Sequence, residues 1–172
     1  MHFSHSMQHI PRPFFADHGY EVRQFFAADG EEIQNFVAAV AGLSPYLMGL
    51  IEKEHQWLRG AFAQPDAALE VELSNLKATA ARDLMSALRR AKRRVALWTA
   101  LCDLAGVWAL EEVTEALSKF ADLACQISLH HALKVQLQRE KIPTRKPETD
   151  PAGLGMFILA MGKLGANELN YS

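Results

Sequence analysis

The chain has 172 residues, 49% of them hydrophobic and 22% charged, and carries a formal net charge of -2 at neutral pH. That length supports one sizeable core, or one domain with part of another, and the composition is that of an ordinary soluble globular protein. The slightly acidic balance argues against a general affinity for nucleic acid or for an anionic membrane surface.

Residues 1–28 are poorly patterned. They open on Met1-His2-Phe3-Ser4-His5-Ser6, with no basic stretch leading into an apolar one, so a secretory signal is not expected. Pro11 and Pro13 forbid a helix interior there, and Phe14-Phe15 and Phe25-Phe26 read as apolar anchors of an otherwise extended, irregular arm. His2, His5 and His9 lie in this arm without an acidic or thiol partner, which points to a mobile terminus rather than a metal site.

A helical region is expected over residues 29–141. Asp29, with Glu32 three residues on, approximates a capping box, and Ile33, Phe36, Val37, Val40 and Ala41 follow helical spacing up to a C-terminal cap at Gly42. Ser44-Pro45 restarts the chain as N-cap and first helical residue, and Leu47, Leu50, Ile51, Leu58 and Phe62 make the second amphipathic helix. Asp66 after Pro65 caps a third, whose seam runs from Leu69 through Leu76, Leu88, Val95 and Leu101, with a kink expected at residues 74–79. Gly106 ends it. Leu110, Val113, Leu117, Phe120, Ala124 and Ile127 repeat the seam in a last helix running to about Lys141, antiparallel to its predecessor.

The two cysteines, Cys102 and Cys125, are too far apart for a Cys-x-x-Cys pair and fit a reducing compartment. No apolar run approaches the roughly 20 residues a membrane span needs, so the expectation is a soluble cytoplasmic protein. Residues 142–151 hold three prolines and four charges and read as a linker, the one domain boundary.

Two clusters in the helical region invite a functional reading. The basic run at residues 89–94 has no interleaved aromatic to stack bases, so it reads as a solvated or interdomain face pairing with Glu111, Glu112 or Asp83. His130 and His131 are adjacent on a helix, cannot chelate one ion together, and leave His131 as a packed core histidine. Before residue 150 no paired-carboxylate, Ser/His/Asp or Cys/His arrangement is supported by spacing alone, and no residue of the chain is named as a catalytic group or metal ligand.

Chemistry becomes legible at residues 155–172, where an apolar run of strand length meets Gly162-Lys163-Leu164-Gly165. A Walker A loop would need glycine at Phe157 and Ser or Thr at Leu164, and a dinucleotide fingerprint would need glycine at Ala160. Neither fits. The block Leu159-Ala160-Met161-Gly162-Lys163-Leu164-Gly165-Ala166-Asn167-Glu168-Leu169-Asn170-Tyr171-Ser172 resembles the signature of the glutamine synthetase adenylyltransferase family. Ser44-Pro45-Tyr46-Leu47, the segment from Leu88 to Leu97, and Val107-Trp108 with Val113 to Ser118 resemble the helical N-terminal part of the same family.

The resemblance implies a mainly α chain whose residues 152–172 are the first strand and turn of a nucleotidyltransferase domain of the DNA polymerase β type. It implies that Gly162 and Lys163 line a nucleotide pocket, with Gly165 and Ser172 framing the turn into the next strand. It implies Mg²⁺, ATP or ADP and orthophosphate as cofactor and substrates, and glutamine synthetase and a nitrogen-signalling protein as partners. The family adds and removes AMP on a tyrosine of glutamine synthetase, and the position of this motif after one helical region implies the adenylyl-removing half. The family's Asp-x-Asp metal ligands would fall just beyond Ser172, so the chain is expected to be a truncated, inactive N-terminal piece. The competing expectation is a stand-alone helical interaction module, which would need residues 155–172 to pack onto the helices.

Overall fold

The computed structural model describes residues 2–139 and 155–171. Seven α-helices organise them: α1 (Gly19–Gln24), α2 (Glu31–Leu43), α3 (Pro45–Ala63), α4 (Ala68–Lys77), α5 (Leu84–Leu104), α6 (Leu110–Gln138) and the single turn α7 (Gly162–Gly165). Among the described residues there is no strand, so the mainly helical expectation holds and the strand at the apolar run does not. Residues 155–160 pair with no other segment among the described residues. The expected linker, residues 142–151, lies outside the described residues.

The main core is aromatic. Phe3, Phe26, Phe36, Phe62 and Trp98 are all buried, and Phe3 sits 5.1 Å from the rings of both Phe62 and Trp98. The N-terminal segment is therefore not an extended arm. Phe3 is a plug in the core, Gln8 N–H donates to the carbonyl of Ala105 at the end of α5, and α1 buries Val22. Phe14 and Phe15 anchor through their backbone instead of their rings, since both amides donate to the carbonyl of Gly42. That contact explains Gly42 better than a cap does: it lies inside α2, where a Cβ would meet Phe15 O at 2.5 Å. Ser44 marks the end of α2 in its place.

Helix starts follow the sequence in one case and depart from it in three. Ser44 Oγ accepts from Leu47 N–H at 3.3 Å with Pro45 at the first helical position, as its sequence predicts. Asp29 does not cap α2; Gly30 holds that position, and the Asp29 carboxylate instead accepts from Arg59 Nε at 2.9 Å. Asp66 lies in a short 3-10 turn before α4 and makes no cap hydrogen bond. The α4–α5 seam is broken outright rather than kinked: Thr79 Oγ1 donates to the carbonyl of Asn75, a local bond that competes with helix propagation, and a 3-10 turn at Ala81–Asp83 restarts the chain. Leu76, Ala87 and Ala91 still form one buried cluster with Leu88, Phe120, Leu123 and Ile127, so the seam survives the break.

α5 ends in a Schellman turn. Gly106 has a φ of 67°, its amide donates to Asp103, and the amide of Val107 donates to Cys102. The turn delivers the chain to α6, whose Glu112 carboxylate accepts from the Ala109 amide at 2.8 Å, half of a capping box. α5 and α6 then pack along the second, smaller cluster.

Candidate functional site

The terminal turn is built by two glycines with different duties. Gly162 has a φ of 59°, in the left-handed region, with open space where a Cβ would stand. Gly165 is required by closeness: a Cβ there would meet the carbonyl oxygen of Ala160 at 2.6 Å. The turn closes as a second Schellman motif, with Asn167 at φ 62° in the left-handed position, its amide donating to Leu164 and the amide of Glu168 donating to Lys163 at 2.7 Å. Ala166 keeps a φ of -86°, so alanine fits there without strain.

This geometry holds Gly162, Lys163 and Gly165 together on one exposed turn; Ser172 lies outside the described residues. Lys163 is exposed and makes no ion pair among the described residues, which leaves its ammonium available as a point charge. Glu168 contributes its backbone to the turn. Among the described residues no group of three His, Cys, Asp or Glu is placed to hold a metal ion. The described residues thus do not fit a Mg²⁺ site.

The turn is carried on the α5–α6 pair by contacts the sequence reading missed. Ser118 of α6 is fully buried, and its Oγ accepts from Leu169 N–H at 3.1 Å. Tyr171 OH donates to the Asp103 carboxylate at 3.4 Å. Burial pushes the Tyr171 phenol well above its ordinary value, and the Asp103 charge and hydrogen bond push the same way. Ser118 lies off the seam of Val113, Leu117 and Phe120, and no local spacing marks it. Beside these anchors the apolar run stays open to solvent, with Phe157 81% and Met161 80% exposed. A groove of about 450 Å³ separates Phe157 and Ile158 from Cys125, Leu129 and Leu133 of α6.

The basic run pairs elsewhere than expected. Arg93 and Arg94 both reach Glu54 of α3 at 2.8 Å, and Arg94 also reaches Glu72 of α4 at 2.8 Å, while Glu112 is engaged in the α6 cap. Glu54 and Glu72 are 5% and 4% exposed, so this is a buried network joining three helices, with Arg94 stacked 5.3 Å over Trp57. Burial opposes the charge on Arg94, but the hydrogen bonds of Glu54 and Glu72 outweigh it and hold its pKa above the ordinary value. Arg89, Arg90 and Lys92 remain exposed. His131 is half-buried beside Lys77 and Lys134 in a surface cleft, not packed in the core.

A family model described as glutamate-ammonia ligase adenylyltransferase matches residues 33–172. The chain is 40% identical over 140 residues to the bifunctional glutamine synthetase adenylyltransferase/adenylyl-removing enzyme of Rhodopseudomonas palustris (strain TIE-1), a match covering 78% of this chain and 14% of that one. Enzymes of the same name from Bradyrhizobium sp. (strain ORS 278) and Caulobacter vibrioides are 41% and 36% identical, over 75% and 78% of this chain and again 14% of theirs. The chain therefore spans 14% of the length of these curated relatives. No solved structure matches it. The match runs from within α2 to α7 and takes in the whole glycine turn, and on that basis the chain belongs to the glutamate-ammonia ligase adenylyltransferase family.

Proposed function

We propose that this stretch is the N-terminal part of an enzyme that adds and removes AMP on a tyrosine of glutamine synthetase, within its adenylyl-removing half. The observation that carries the reading is the turn at residues 162–165, where Gly162 and Gly165 hold Lys163, without an ion pair among the described residues, in solvent beside an open apolar edge. In the reaction proposed, an oxygen of orthophosphate attacks the phosphorus of the tyrosyl-AMP diester. The phosphorus–phenol oxygen bond breaks, ADP forms, and the leaving phenolate takes up a proton. Lys163 would supply positive charge to the phosphate oxygens, and Gly162 would let backbone approach them. Residues 152–172 would continue into the nucleotidyltransferase sheet, with Ser172 framing the next strand and Mg²⁺ and ATP or ADP bound by residues outside this stretch.

Glutamine synthetase and a nitrogen-signalling regulatory protein are the proposed partners, and the cytoplasm the proposed compartment. Two unpaired cysteines, Cys102 and Cys125, are consistent with that compartment, and among the described residues no helix is long and apolar enough to cross a membrane. The test is release of ADP from adenylylated glutamine synthetase and orthophosphate. The 172-residue chain is expected to release none even with Mg²⁺, and the full-length protein is expected to lose activity on Lys163→Ala. Turnover by the short chain, or an unaffected full-length variant, would count against this reading.

A stand-alone helical interaction module needs residues 155–171 to pack on the helices, and only their last part does so through Ser118 and Asp103. The exposure of Phe157 and Met161 favours an edge that further chain covers.

A further inference from the structure

The amide that closes the Lys163 turn belongs to Glu168, and the very next amide, that of Leu169, is held by Ser118. The anchor therefore acts one residue from the turn it steadies. A serine buried within a helix ordinarily satisfies its hydroxyl on the carbonyl of its own preceding turn. Here the hydroxyl oxygen also accepts from a residue 51 positions later and so docks a distant segment. Asp103 does the same from the end of α5, 68 positions from Tyr171. Leu164, half-buried, completes the seat in the α6 groove beside Cys125 and Leu133.

We propose that Ser118 and Asp103 are positioning residues: they fix the turn bearing Gly162 and Lys163 against the α5–α6 pair, and so set where Lys163 stands relative to the reacting phosphate. The role in the reaction rests on the function proposed above; the anchoring itself does not. Neither residue needs to touch substrate. Each acts by removing freedom from the segment that carries the lysine, which is how misplacement of a charge far from the chemistry lowers a rate. The arrangement also makes the helical region a means of control, since anything that shifts α6 against α5 moves the turn with it.

Cys125 lines the groove opposite Phe157 and Ile158, whereas Cys102 is buried and its thiol is held neutral. Alkylation of the native 172-residue chain therefore reports the opening of the terminal segment through Cys125. Ser118→Ala and Tyr171→Phe are each expected to raise the Cys125 rate about three- to tenfold, the loss of one hydrogen bond, and Ser118→Thr to restore it. Tyr171 is half exposed, so its variant reports even if a change at buried Ser118 disturbs folding. Wild-type rates in both Ser118→Ala and Tyr171→Phe would overturn the anchor. In the full-length protein the same variants are expected to lower kcat for deadenylylation with KM for adenylylated glutamine synthetase unchanged; a change confined to KM would overturn the positioning role. An unmutated full-length protein without that activity would instead refute the proposed function, and the alkylation result would stand.

Discussion

Arg94 of α5 lies 2.8 Å from Glu54 of α3, and Glu54 is almost wholly buried where they meet. Arg93 takes the other oxygen of the same carboxylate, and Glu72 of α4 takes the other side of Arg94. The four side chains join three helices. Each charge is opposed by another, so the network is stable as a set and intolerant of losing one member.

Replacing Glu54 with alanine leaves two guanidinium groups facing a buried gap. The loss is expected to cost about 1–3 kcal/mol, between that of an exposed and a fully buried pair, because Arg94 keeps Glu72 as a partner and Arg93 keeps part of its hydration. The exposed pair Arg82–Asp83 provides the contrast: Asp83→Ala should cost well under about 1 kcal/mol. Urea unfolding of the two variants measures the difference. Equal losses would mean that water reaches Glu54.

That network also marks the limit of what the sequence discloses. The seams of α2 and α3 and the Ser44-Pro45 start are local, written in spacings of three and four residues and in one cap. Glu54 and the arginines it pairs with are 39 and 40 residues apart, and no periodicity distinguishes Glu54 from an exposed acid on the same helix. Asp29 failed as a cap for a related reason, since Arg59 competes for its carboxylate from another helix. At the terminal turn the glycines and the lysine were legible because the motif is contiguous. Ser118, Asp103 and the missing strand were not, because anchoring and strand pairing depend on distant partners.

The Cys102 thiol is pushed above its ordinary value near 9 by burial and then by the charges of Glu112 and Asp103. The folded state thus keeps the proton that the unfolded state loses. Below about pH 9 both states hold it and nothing changes; above, the unfolded state is favoured and stability falls. The slope should approach about 1.4 kcal/mol per pH unit from this one group. The Tyr171 phenol has the same sign above its ordinary value of 10, weakened by exposure. Denaturant unfolding at pH 8 and pH 10 should show the fall in the wild type and a shallower one in Cys102→Ala. Parallel curves would mean that the thiol ionises as readily folded as unfolded.

Thr99 and Trp98 are neighbours in α5, both buried, each with a polar atom that has no hydrogen-bond partner among the described residues. They should respond in opposite directions. Thr99→Val keeps the shape and removes the orphaned hydroxyl, so it is expected to stabilise the chain by about 1 kcal/mol. Trp98→Phe also removes an orphaned donor, but it empties space against Phe3 and Phe62 and should destabilise by at least about 2 kcal/mol. Thermal unfolding separates them. A Thr99→Val variant that melts lower than the wild type would show that the hydroxyl has a partner after all.

The two glycines of the terminal turn give the sharpest ranking. Alanine at Gly162 meets no atom but must hold a φ of 59°, an unfavourable conformation worth roughly 1–2 kcal/mol. Asparagine tolerates that region better, so Gly162→Asn should recover part of the loss. Alanine at Gly165 meets a carbonyl oxygen at 2.6 Å and the carbonyl carbon at 3.0 Å, both backbone atoms of Ala160, so the chain itself must move. The expected order of turn stability is wild type, then Gly162→Asn, Gly162→Ala and Gly165→Ala. Since the turn adds little to the core, global unfolding should barely register these changes. Amide exchange at Asn167 and Glu168, which donate to Leu164 and Lys163, reads them directly. If Gly165→Ala protects those amides as well as the wild type does, Ala160 does not close over the turn, and the close packing assigned to Gly165 is wrong.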